Sequence, residues 1–429
     1  MIYMSVITIP EEGWNLRPMR HTESKEIDMR KVWILFMLAL VSLLSACATA
    51  GPRCTAPADN PRHHYRLGME KLESLNVEAA MEKFDRAVYC EEQFSAAYSG
   101  RAIAFAVKAR SQGDAGFKGV EVNRALENLE KGRTTAVSEN DKFEYHVAAI
   151  RVHNLIRSNR WLEQAETSYR EAMNIKVDEK LLDYYRGAEA AMYFMGLAYV
   201  DASEFRKAED KFRDTLEVRR DGKWNEPADR AWKRTSKIVR ATGGLTIGDV
   251  GKKIAIQENV DRGDLAALLI DEVKLDKLFA GRIPVKSQVD RMKAEFTPAD
   301  ILNHQFKEEI LTILKWKVRG LEPKADDTTR AYLFKPADKV TRAELAFVLE
   351  DVLMKLTGDD KMATAFFGQD RSPFPDVKST SPYYNAVLNM TTRSIMESEL
   401  SGEFRPTDPV DGAEAILAVR VLQQRLSTH

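Results

Sequence analysis

The chain is 429 residues long, 44% hydrophobic and 30% charged, which is enough apolar material for two or three domains and too much for wholesale disorder. Its 64 Lys and Arg against 65 Asp and Glu leave a formal charge of -1, which excludes nucleic-acid binding through bulk basicity. The three cysteines, Cys47, Cys54 and Cys90, exclude a disulfide-stapled scaffold and a four-cysteine zinc site.

Residues 1–28 carry Glu11, Glu12, Glu23, Glu26 and Asp28, which suit no targeting segment; the expectation is an over-extended reading frame with Met29 as the true start. Met29-Arg30-Lys31 leads into a mostly apolar run, Val32 to Leu44, and then into Ser45-Ala46-Cys47. A charged head, an apolar run and a small-residue exit describe a secretory signal peptide over 29–46. The run is shorter than the ~20 residues a membrane span needs. Leu44-Ser45-Ala46-Cys47 resembles the lipobox of bacterial lipoproteins, which implies that Cys47 is diacylated and becomes the mature first residue. Each buried acyl methylene contributes about 0.8 kcal/mol, so two or three chains make a stable membrane anchor. Ala48 stands where an Asp commonly retains such proteins in the inner membrane, so the resemblance implies outer-membrane sorting, with the chain in the periplasm. Removing 1–46 leaves the charge at -1. Residues 47–61, mostly Ala, Gly, Pro, Thr and Asp, read as a lipidated tether that needs no fold. Cys54 lies in this tether and Cys90 in the first helical unit; in an oxidising periplasm they could pair, but spacing does not show proximity.

A helical repeat region is expected over 62–240. Leu67-Gly68 is followed by Ala80, Phe84 and Ala87, and Met195-Gly196 by Ala208, Phe212 and Thr215 at the same offsets. Ala165, Tyr169 and Ala172 repeat the second half, and Ala125 with Leu129 does so weakly. These residues resemble tetratricopeptide repeats, in which Gly and Ala let two helices approach and an aromatic ring fills the space beside them. The resemblance implies a solenoid whose groove binds a peptide or protein partner; the competing reading is a rigid spacer. The anchoring alanines stand further apart than in the usual repeat, and the surplus is expected in longer loops such as Ser111 to Gly116. His146 and His153 share a helical face but have no carboxylate at matching spacing, so no metal site is expected.

Ala241-Thr242-Gly243-Gly244 breaks the pattern, and a second repeat occupies 245–429. Phe334-Lys335-Pro336 recurs as Phe404-Arg405-Pro406, and each precedes a helix start, at Thr341-Arg342-Ala343-Glu344 and at Asp411-Gly412-Ala413-Glu414. Asp261-Arg262-Gly263-Asp264 is an earlier copy of the start alone. Upstream, Ala299-Asp300-Ile301 leads into Phe306, and Phe374-Pro375-Asp376-Val377 leads into Tyr383 and Tyr384. The stretch resembles S-layer homology repeats, with units over 297–356 and 373–428 and a partial one over 247–280. That resemblance implies a mainly α, pseudo-threefold domain whose grooves bind cell-wall polysaccharide, often pyruvylated, or peptidoglycan. Thr341 with Glu344 and Asp411 with Glu414 have capping-box spacing, so helix capping accounts for them. Arg342 and Arg262 are not so accounted for. A cation in the first helical turn opposes the helix dipole by about 0.3–1 kcal/mol, which an anion beside it would reverse. Arg342, then Arg262, and last Asp300 are therefore the candidate glycan-binding residues. Gly412 replaces the arginine in the last unit, so that groove is expected to be weak.

No phosphate loop, zincin motif, nucleophile elbow or ligand-spaced Cys/His cluster is present in the sequence, so neither an enzyme nor a cofactor is expected. The leading expectation is an envelope lipoprotein scaffold that binds the wall through one array and a protein through the other. The alternative is an accessory lipoprotein of an outer-membrane export or assembly complex, and a wall-remodelling hydrolase is a third class.

Overall fold

A computed structural model describes residues 53–427, except 55, 219, 244–246, 284–285 and 290. The lipobox and Cys47 lie outside the described residues. Those described are mainly helical, and no helix among them is long and apolar enough to cross a membrane.

The amino-terminal half is a row of helix pairs: α1 (Pro61–Glu73) with α2 (Val77–Cys90), α3 (Ser95–Ser111) with α4 (Ala115–Thr135), α5 (Glu139–Ile156) with α6 (Trp161–Asn174), and α7 (Glu189–Asp201) with α8 (Phe205–Val218). Local chemistry sets the starts. Asn60 caps α1 with Pro61 behind it, Asn76 caps α2, Asp114 caps α4, and Ser138 with Asp141 makes a complete capping box on α5. Within a pair, a glycine lets the aromatic ring in. A Cβ at Gly68 would stand 2.5 Å from the buried ring of Phe84, and one at Gly196 would stand 2.6 Å from that of Phe212. A Cβ at Gly100 on α3 would meet the same Phe84 ring, so one ring locks three helices. The anchoring alanines Ala80, Ala125, Ala165 and Ala208 are fully buried. The wide spacing has two origins: the 175–188 connection between α6 and α7 is long, but the first interval is not a loop effect. Only 112–114 separate α3 from α4, and the surplus residues lengthen those helices to 17 and 21 residues.

The first helices of successive pairs pack on one another, and the face they share is occupied by the chain itself. The connection between α6 and α7 lies across it as a strap. Asp178 exchanges hydrogen bonds with Asn140, and Asp183 pairs with Arg62 at 3.2 Å. The Tyr184 hydroxyl donates to Glu73 at 2.6 Å, and Arg151 donates to the Tyr185 hydroxyl. Trp224 donates its indole N–H to the Tyr185 carbonyl at 2.6 Å and stacks on Tyr193. Beside the strap, burial and the neighbouring Asp183 and Asp141 push the Glu144 carboxyl up to about 8, so it is mostly neutral at pH 7. Leu182, Tyr184 and Tyr185 are all buried, and stripping them would cost roughly 1.5–3 kcal/mol each. That total approaches the stability of a whole domain, so the strap is core and not a detachable plug.

The supposed tether is also tied down from Cys54 onward. Cys54 forms a disulfide with Cys90 at the end of α2, with a Cα–Cα distance of 5.0 Å. Asp59 accepts from Arg86 and His64, which hold its carboxyl down at about 2. The bridge spans 36 residues, and closing a loop of that size in the unfolded chain is worth about 3–4 kcal/mol. Reduction with dithiothreitol is expected to lower the unfolding free energy by that order, and Cys90→Ser to match it. Identical denaturant midpoints with and without reductant would show that the bridge does not stabilise the chain.

The row ends in α9 (Asn225–Thr242), which packs both on α8 and on the last helix of the carboxy-terminal half. That half contains α10 (Asp249–Ala255), α11 (Arg262–Ala267), α12 (Leu275–Ala280), α13 (Lys307–Lys315), α14 (Arg342–Thr357), α15 (Tyr384–Thr392) and α16 (Gly412–Ser427). A two-stranded antiparallel hairpin, β1 (Lys324–Ala325) and β2 (Tyr332–Leu333), precedes α14. Backbone hydrogen bonds close the three units into a ring. Val260 N–H donates to the Val410 carbonyl at 2.8 Å, Val340 to Val260 at 3.0 Å, and Val410 to Val340 at 2.9 Å. All three valines are buried, so the ring is a hydrophobic axis in which each unit needs the other two.

Candidate functional site

The junctions between units are the places where the repeated motif does its work. Asp300 accepts the backbone N–H groups of Phe334 and Lys335, at 3.1 and 2.6 Å. Asp376 does the same for Phe404 and Arg405, at 2.9 and 2.6 Å. Lys335 and Arg405 both take left-handed backbone, with φ of 56°, and the carboxylate holds that turn in place. Asp300, expected to face a glycan, is thus engaged in the Phe-x-Pro turn. In unit one the residues at this register, Ile254 and Ala255, lack the Phe-x-Pro motif and lie in α10 instead of a turn.

The turn delivers its phenylalanine carbonyl to the arginine of the preceding unit. Arg262 donates Nε–H to the Phe334 carbonyl at 2.9 Å, and its two other nitrogens to the carbonyls of Gly320 and Glu322 at 2.8 Å each. It lies over the Phe334 ring and is 3% exposed. Arg342, also 3% exposed, repeats this at the second junction. Its Nε–H donates to the Phe404 carbonyl at 2.6 Å, one nitrogen donates to the Glu397 carbonyl at 2.7 Å, and the guanidinium lies over the Phe404 ring. Its remaining nitrogen ion-pairs with Glu414. Burial holds both guanidiniums below their ordinary value. The negative charge that a first-turn cation calls for is supplied by carbonyl dipoles of the next unit, so the argument for an external anion at Arg262 and Arg342 no longer follows from the dipole.

The caps follow the spacing with one departure. Thr341 with Glu344, and Asp261 with Asp264, make complete capping boxes. Asp411 accepts from the Glu414 N–H at 2.8 Å, but the Glu414 carboxylate is turned to Arg342. The third junction is closed by backbone. Gly412 N–H donates to the Gln257 carbonyl at 3.0 Å, and a Cβ at Gly412 would overlap the Ile254 carbonyl oxygen. Ile254 stands at the register of Phe334 and Phe404, so its carbonyl sits where the missing arginine side chain would begin.

A cavity of about 210 Å³ opens at the second junction. Arg342 lies at its floor with Glu414; Glu397, Glu399 and Arg405 come from the loop ahead of α16, and Lys237 and Arg240 from α9. Arg405 pairs with Glu399 at 3.0 Å, and Lys237 with Asp411 at 2.6 Å. Sequence reasoning found Arg342 but not Lys237 or Arg240, which sit on the other side of the Gly243-Gly244 boundary and carry no motif.

Residues 373–416 match the S-layer homology domain family. This is the third unit, from the Phe374-Pro375-Asp376-Val377 motif into α16, and it supports a coarse assignment to cell-wall binding and to the cell envelope. No curated protein matches the chain, and no solved structure does.

Proposed function

We propose that the protein is a lipid-anchored scaffold of the cell envelope that grips cell-wall polysaccharide or peptidoglycan through its carboxy-terminal units. The S-layer homology match at 373–416 carries this reading, and the cavity at the second junction is its candidate site. The Cys54–Cys90 bridge supports an oxidising compartment, as an exported lipoprotein would meet. In this reading Cys47 bears the lipid in the outer membrane, the chain faces the periplasmic wall, and the tetratricopeptide-like row is a stiff spacer. The face that would hold a peptide is filled by the strap, which favours a protein partner on the outer surfaces of the row. A single competent junction gives modest affinity, but a membrane anchor raises the effective concentration at the wall.

Full-length protein in detergent should sediment with purified sacculi. Cys47→Ser should release the protein from membranes without changing that sedimentation. Protein that stays in the supernatant at every salt concentration would end the wall-binding reading and favour the alternative, an accessory subunit of an outer-membrane export or assembly complex.

A further inference from the structure

The three junctions differ in what is left for a ligand. At the first, every guanidinium nitrogen of Arg262 is taken by a backbone carbonyl. At the third, the Ile254 backbone fills the space. Among the described residues, only at the second is the buried arginine neutralised partly by a side-chain carboxylate, Glu414, and there the arginine itself lines a cavity. Its rim is completed from outside the wall-binding units. Arg420 on α16 donates to the carbonyls of Arg240 and Ala241 at 3.0 and 3.2 Å, fixing the end of α9 beside the cleft. Lys237 is held there by Asp411. Arg240 is exposed and makes no side-chain hydrogen bond or ion pair among the described residues.

We propose that the helical row completes this cleft, with Arg240 on α9 contributing a ligand-binding cation to the wall-sugar groove of the carboxy-terminal units. The proposal rests on the wall-binding reading and deepens it. The chemistry of the lining selects the ligand class. Arg240 offers the planar fork that matches a carboxylate, and the Arg342–Glu414 pair at the floor can exchange hydrogen bonds without gaining or losing net charge. Glu397 and Glu399 lie close by and accept from hydroxyls, so a bare anion is disfavoured relative to a sugar acid. At about 210 Å³ the cavity is smaller than a pocket that encloses a drug-sized ligand, so it takes one sugar ring at most. Wall binding then depends on the helical row being docked on the ring, not on the S-layer homology units alone.

The test compares N-acetylmuramic acid with N-acetylglucosamine, which differ by the lactyl carboxylate, by calorimetric titration of the full-length protein. The acid is expected to bind at least fivefold more tightly than the neutral sugar. Arg240→Ala should remove that preference and Arg240→Lys should restore part of it, with unchanged melting curves because Arg240 is exposed. Equal affinity for the two sugars, binding of neither, or a preference that survives Arg240→Ala would each overturn the composite site. Sacculus sedimentation separates the two levels. Wild-type protein that sediments, joined by an Arg240→Ala variant that sediments equally well, would leave wall binding standing and remove the role of the helical row.

Discussion

Arg342→Ala is expected to lower the unfolding free energy by about 3–5 kcal/mol, the cost of removing one partner from a buried, hydrogen-bonded ion pair. The carbonyls of Phe404 and Glu397 lose their donors, Glu414 is left beside a cavity without its cation, and the Phe404 ring loses the guanidinium that covers it. Arg342→Lys should recover little, because one ammonium cannot serve three acceptors in a fixed fork while lying flat on a ring. The experiment is urea denaturation of the wild type and both variants. A residue serving only as a glycan contact would leave the midpoint unmoved and change sedimentation alone, and that outcome would return Arg342 to a pure ligand-binding role. The expected result is the opposite order: stability falls first, and any loss of wall binding follows from the damaged junction.

How legible the fold was depends on how local each contact is. Gly68 with Phe84 and Gly196 with Phe212 could be paired from offsets, because helix pairs bring residues at fixed short separations together. The Phe-x-Pro turns and capping boxes were likewise readable, being set within a few residues of chain. The partners of Arg342 and Arg262 were not. The spacing showed a cation opposing a helix dipole, but the carbonyls that resolve the conflict lie 55 to 72 residues further along, brought there by ring closure. The same distance hid the strap, whose Asp183 and Tyr184 meet α1 over 121 and 111 residues and match no repeat. Arg240 was invisible for another reason. A boundary drawn at Gly243 separates it from the units it serves, whereas in three dimensions α9 belongs to both halves.

The second large effect concerns Gly412, which sits at the first helical position of α16 with ordinary helical backbone. Propensity alone favours alanine over glycine, by up to about 1 kcal/mol in a helix interior and by less at a first position. Packing reverses the sign. A Cβ would overlap the Ile254 carbonyl oxygen, stand 2.7 Å from its carbonyl carbon and 3.1 Å from that of Ala255. These are backbone atoms of α10, so relief requires moving a helix and not turning a side chain. The movement would disturb the Gly412–Gln257 hydrogen bond and, next to it, the Val260–Val410 bond of the closing ring. Gly412→Ala is therefore expected to destabilise by about 1–3 kcal/mol, and Gly412→Arg, which rebuilds the motif of the other units, by more. Restoring the motif should then weaken wall binding instead of adding a groove, because the space it needs is taken by α10. Urea unfolding of both variants decides the point. A Gly412→Arg protein as stable as the wild type that sediments more strongly with sacculi would mean that α10 yields and the third junction can open.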